Sequence, residues 1–127
     1  MIMELLARQK RILILDNSGR MTSIVNEIME YGDFDVHTIY DPNAVYDRAT
    51  EIHPDLIILD YLLLNNDCEV VCRDIKEDKY LKEIPVIIVT AYKNKKARAD
   101  AYKCDAIFLK PVDMQLFAPR IDYLMAS

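Results

Sequence analysis

The sequence predicts an α/β domain in which five parallel strands form one sheet with helices on both faces. Three observations lead there. Strand-like and helix-like stretches alternate five times along the chain. Three of the strand runs, Arg11–Asp16, Asp55–Asp60 and Pro85–Thr90, are apolar without alternation, the pattern of strands covered on both sides. The connections are short, and short β-α-β links give parallel neighbours with right-handed crossovers.

Taken in order, RILILD (Arg11–Asp16) is an apolar run closed by an acid. Met21, Ile24, Val25, Ile28 and Met29 follow at helical spacing, and the stripe ends near Tyr31-Gly32. Phe34–Tyr40 is the second strand. Asp41-Pro42 opens the second helix with a capping side chain and a first-turn proline, and Ala44, Val45 and Ala49 are its apolar positions. DLIILD (Asp55–Asp60) is the third strand. Asn66 or Asp67 caps a third helix with Glu69 in its first turn and Val70, Val71 and Ile75 facing inward. PVIIVT (Pro85–Thr90) and AIFL (Ala106–Leu109) are the last strands. Lys93–Tyr102, polar for its length, and Val112–Met125 are the fourth and fifth helices.

The 127 residues fit one domain, with 52% hydrophobic residues to fill its core. A single domain over residues 1–127, with a core from about 11 to 124 and no output domain, is therefore expected. No 18-residue apolar run and no signal peptide occur, so a cytoplasmic protein without membrane contact is expected. A net charge of −5 argues against a nucleic-acid partner. Cys68, Cys72 and Cys104 are an odd number of thiols without an export signal. They read as reduced, and as packing rather than metal ligands.

In a doubly wound parallel sheet the binding site lies beyond the carboxyl ends of the strands. Asp16-Asn17, Asp60, Thr90-Ala91 and Lys110-Pro111 stand there; Tyr40-Asp41 ends the second strand too far out to join them. Taken singly, each is an ordinary turn, cap or surface residue. Together they are two carboxylates, an amide, a hydroxyl and an ammonium. Clustered carboxylates repel unless a cation joins them, and hard oxygen donors suit Mg²⁺, which keeps waters and often takes a phosphate oxygen. A lysine and a hydroxyl fit the other oxygens of a phosphoryl group. A carboxylate can attack phosphorus to form an acyl phosphate, helped mainly by positioning and electrostatics.

The stretches LILDN, DLIILD, IPVIIVTA and FLKP, in this order and spacing, resemble the receiver domain of two-component response regulators, from about Arg11 to about Leu124. The resemblance implies strand order 2-1-3-4-5, and a phosphoryl group accepted on Asp60 from a histidine kinase or phosphotransfer protein. It places Asp16, Asn17 and the Leu62 backbone carbonyl with Asp60 around Mg²⁺, and makes Lys110 the phosphate-binding lysine. Thr90 becomes the switch hydroxyl and Ile107 its partner in the switch, and the Lys110-Pro111 peptide should be cis. The domain would then be a phosphoacceptor switch rather than an enzyme, limited to self-catalysed phosphoryl transfer and autodephosphorylation. Output would run through the face of the fourth helix, fifth strand and fifth helix.

The chain departs from the family pattern at several places. Asn17 stands for a metal-binding acid, which weakens Mg²⁺ binding. Leu64 replaces a proline, Cys68 a glycine, and Lys103 a glycine common before the fifth strand. Ile107 replaces an aromatic residue and, having no polar tip to exchange with solvent, should stay buried in both states. Lys93, Lys95, Lys96, Arg98 and Lys103 put positive charge on the output face, as an acidic protein partner would require. Two alternatives remain: a phosphorylation-independent pseudo-receiver that only docks, and, more remotely, a haloacid-dehalogenase-type hydrolase. The hydrolase requires Asp-x-Asp after the first strand, where Asp16-Asn17-Ser18 stands. A flavodoxin-like flavin site would require a hydroxyl-rich phosphate loop in the same place.

Overall fold

The computed structural model describes residues 9–61, 66–91 and 102–126. The expected helix over Lys93–Tyr102, apart from Tyr102 itself, lies outside them. So do the Leu62 carbonyl, Leu64, and the basic residues Lys93, Lys95, Lys96 and Arg98.

Five strands form one sheet: β1 (Lys10–Asp16), β2 (Phe34–Ile39), β3 (Leu56–Asp60), β4 (Val86–Thr90) and β5 (Ala106–Leu109). Their order is β2-β1-β3-β4-β5 and every pairing is parallel. Every residue of β3 and β4 is buried, which is why these runs lack alternation. The outer strands β2 and β5 are only partly covered.

Successive strand residues point to opposite faces, and two cores result. Leu13, Leu15, Ile57, Leu59, Val86 and Ile88 pack with Val45 and Ala49 of α2 (Val45–Ile52) and with Cys68, Cys72 and Ile75 of α3 (Asn66–Glu77). Ile12, Ile14, Leu56, Ile58, Ile87 and Val89 pack with Met21 and with Ile24 and Ile28 of α1 (Thr22–Tyr31). The same core takes in Phe117 and Ile121 of the C-terminal helix α4 (Met114–Met125).

Several expectations need correction. Met29 is 56% exposed and Val70 38% exposed, so neither faces the core. The seam of α3 is Cys68, Cys72 and Ile75; Val70, two residues from both cysteines, lies about 200° round the helix from each. Asp41 does cap, its Oδ1 accepting the Asn43 N–H at 2.9 Å. The turn it starts, however, is a 3-10 turn over Pro42–Ala44 that passes into α2. The last helix begins at Met114 with Asp113 as cap, and Val112 packs beneath it. Ile107 is half-buried rather than buried, because β5 is an edge strand.

The three cysteines are not disulfide-bonded and are buried in one core. Its hydrogen bond with Cys68, together with burial, pushes the Cys72 thiol far up, and burial raises Cys104 to about 12. At pH 8 a group with that pKa is ionised to about one part in ten thousand. Iodoacetamide should therefore leave Cys72 and Cys104 unlabelled in the folded protein and label them in urea. Rapid labelling of the native state, read by mass spectrometry, would contradict this packing.

Lys103 has φ +57°, the left-handed region in which glycine is at ease. The strain at such a position is about 1–2 kcal/mol, partly offset by the extra chain entropy of glycine. Lys103→Gly should raise stability by about 0.5–1 kcal/mol in urea titrations, and a loss would show that the lysine side chain holds this turn.

Candidate functional site

The parallel register makes Asp16 and Asp60 direct partners at the carboxyl ends of β1 and β3. Four buried apolar residues precede each, so both carboxylates are carried to the sheet edge on rigid strands. Asp60 is fully buried and Asp16 is 8% exposed. Asp16 Oδ1 has no hydrogen-bond partner among the described residues.

Lys110 comes from the exit of β5, next to β4. Its N–H donates to the Thr90 carbonyl at 2.8 Å, and its peptide to Pro111 is cis, as the resemblance implied. The ammonium lies 2.7 Å from Asp60 Oδ1, off the line of a hydrogen bond, so charge rather than directed bonding joins the pair. Thr90 is wholly buried, and the neighbouring cleft wall is the small Ala91. Asn17 is exposed at the rim. Together Asn17, Ser18, Arg20, Asp60, Ala91, Lys110 and Pro111 line a cleft of about 660 Å³.

The sequence reading missed Ser18. Its N–H donates to Asp60 Oδ2 at 2.9 Å and its hydroxyl donates to the same oxygen. Lys110 Nζ reaches the Ser18 hydroxyl at 3.3 Å. The signal was the following Gly19, whose φ of +73° turns the loop back over the strand end. The structure thus brings Asp16, Asp60 and Lys110 together, leaves Thr90 buried at the end of the neighbouring β4, and adds Ser18 and Arg20 at the cleft. Leu62 lies outside the described residues, so its carbonyl is not placed.

Two acids, one of them with the unpartnered Asp16 Oδ1, and the Asn17 amide make a hard-oxygen donor set that fits a small divalent cation. Among the described residues, no three His, Cys, Asp or Glu side chains gather as a metal site.

The family model for the response regulator receiver domain matches residues 12–122. The chain is 28% identical over 117 residues to the DNA-binding dual master transcriptional regulator RpaA of Synechocystis sp., a match covering 91% of this chain and 48% of the relative. It therefore spans about half the length of that relative. A Chloroflexus aurantiacus chain assigned to the response regulators has a similar fold, with TM-score 0.82 at 18% identity, covering 94% of this chain and all of the other. The signal receiver domain of a signal transduction histidine kinase from Syntrophus aciditrophicus also superimposes, with TM-score 0.77 at 24% identity, covering 92% and 90%. The hydrolase and flavin-protein alternatives receive no support from these comparisons. With the predicted strand order and a family match over most of its length, the chain belongs to the response regulator receiver domains of two-component signalling.

Proposed function

We propose that this receiver accepts a phosphoryl group on Asp60 from a histidine kinase or phosphotransfer protein, with Mg²⁺ present, and passes the signal on through protein contacts. The observation that carries this is the buried Asp60 carboxylate facing Lys110 at 2.7 Å at the cleft, with Asp16 beside it in register. An Asp60 oxygen attacks phosphorus, the donor's P–N bond breaks, and the imidazole leaves with the electron pair and takes up a proton. Lys110 can follow the charge from the carboxylate onto the phosphoryl oxygens, with the Thr90 hydroxyl as the proposed second donor. Asp16, Asn17 and Asp60 would hold the cation, which offsets charge on the transferring group. Turnover of another substrate is not part of this function.

Mass spectrometry after incubation with acetyl phosphate tests the proposal. Modification is expected with Mg²⁺, absent with a chelator, and absent in Asp60→Asn. A protein that stays unmodified yet still captures its partner would instead be a phosphorylation-independent docking module.

Asn17 sets the cation affinity. A unit charge pair at about 4 Å and an effective dielectric of about 20 is worth roughly 4 kcal/mol. The amide dipole and ordered water recover much of that. Asn17→Asp should therefore tighten Mg²⁺ binding by about 1–2 kcal/mol, or about tenfold. Equal or weaker binding in a calorimetric titration would remove this account.

A cytoplasmic location is part of the proposal, and no helix among the described residues is long and apolar enough to cross a membrane. RpaA is described as DNA-binding; with a net charge of −5, residues 1–127 are assigned protein partners here. On the proposed output face, β5 and α4 expose Leu109, Leu116 and Tyr123, with Arg120 over the Tyr123 ring. These apolar groups suit a protein partner.

A further inference from the structure

Ser18 does something that the receiver chemistry does not require. Its hydroxyl has one proton and two lone pairs. Lys110 Nζ donates to it at 3.3 Å and the Arg20 backbone N–H at 3.1 Å. Both lone pairs are taken, so the proton is directed to Asp60 Oδ2. The Ser18 N–H donates to that same oxygen at 2.9 Å. Oδ2 therefore has two donors, while Oδ1 faces the Lys110 ammonium.

We propose that Ser18 is a positioning residue, a latch whose hydroxyl holds the Asp60 carboxylate closed to a divalent cation until it lets go. The proposal rests on the receiver reading of Asp60. A lone pair cannot serve a hydroxyl proton and a cation at once. At Oδ1 the Lys110 charge repels a second cation, so entry is through Oδ2. Asp16 does not need releasing: its Oδ1 has no partner among the described residues. Asp60 is thus the half of the acidic pair that must be freed. A hydrogen bond to an ionised carboxylate is about twice as strong as one between neutral groups, so the latch competes in earnest with a cation already short of one acid at Asn17.

Ser18→Ala removes the hydroxyl and keeps the backbone donor; Ser18→Thr keeps both. Calorimetric titration with MgCl₂ should show Ser18→Ala binding about tenfold more tightly than wild type, and Ser18→Thr within about twofold of wild type. Equal, weaker or undetectable binding by Ser18→Ala overturns the latch, as does a threonine variant that behaves like alanine. Mass spectrometry with acetyl phosphate on the same proteins keeps the two ideas apart. Tighter Mg²⁺ binding without any phosphate on Asp60 leaves the latch standing and removes the receiver chemistry. Phosphorylated Ser18→Ala with unchanged Mg²⁺ affinity keeps the receiver and removes the latch.

Discussion

Lys110→Met should cost about 2–3 kcal/mol of stability and slow phosphorylation of Asp60 by about a hundredfold or more. Among the described residues, Lys110 is the cation within ion-pair distance of a carboxylate that is itself fully buried. Breaking a buried pair from one side typically costs about 3–5 kcal/mol, because the remaining charge is left unpaired. The lysine side chain is 18% exposed and borders a cleft that water can enter, which lowers the figure. The rate effect matches the loss of one preorganised donor at a developing charge, commonly 10²–10³-fold. Urea denaturation reads the first quantity and a mass-spectrometric time course the second. The decisive control is the same substitution in Asp60→Asn, where it should cost less than about 1 kcal/mol. Equal losses in both backgrounds would mean that Lys110 acts through its stem and not its charge.

Phe117→Ala should cost about 4 kcal/mol. Among the described residues Phe117 is the largest fully buried side chain, and its ring centroid lies 4.8 Å from that of Phe108 on β5. Phe→Ala in a core typically costs about 3–5 kcal/mol, from lost burial plus the cavity left behind. That is a large share of the roughly 5–15 kcal/mol typical of a domain. The functional link is short, because Phe108 stands two residues before Lys110 and Phe117 is the floor on which β5 rests. Phe117→Leu fills most of the space and should lose only about 1–1.5 kcal/mol. A loss below about 2 kcal/mol for Phe117→Ala, measured by urea denaturation, would show that α4 collapses onto the gap.

The sheet was legible in the sequence because burial on two sides leaves a run with no polar letter, as in the LIIL of β3 and the VIIV of β4. The edge of the sheet was legible for a related reason: a polar residue closing such a run has to sit at the strand's end. Helix faces were harder. Val70 and Met29 are apolar but exposed, while the seam of α3 is written in cysteines, whose packing role hydrophobic periodicity alone does not announce. Ser18 stayed hidden because its contact with Asp60 joins residues 42 positions apart at the ends of neighbouring strands. The output charges could be named from sequence alone, yet Lys103 is the one member of that group among the described residues.

The strand order also has a consequence for amide exchange. β1 and β3 are paired on both sides, while β5 is an edge strand with partly covered residues. Amides in the middle of the sheet exchange only when the domain unfolds as a whole, and edge elements exchange through smaller openings of lower free energy. Asp16 and Asp60 ride on the slow strands and Lys110 on the exit of a fast one. The ion pair therefore bridges two units of unequal permanence, and the amides of β5 leading to Lys110 should exchange faster than those of β1 and β3 leading to the two acids.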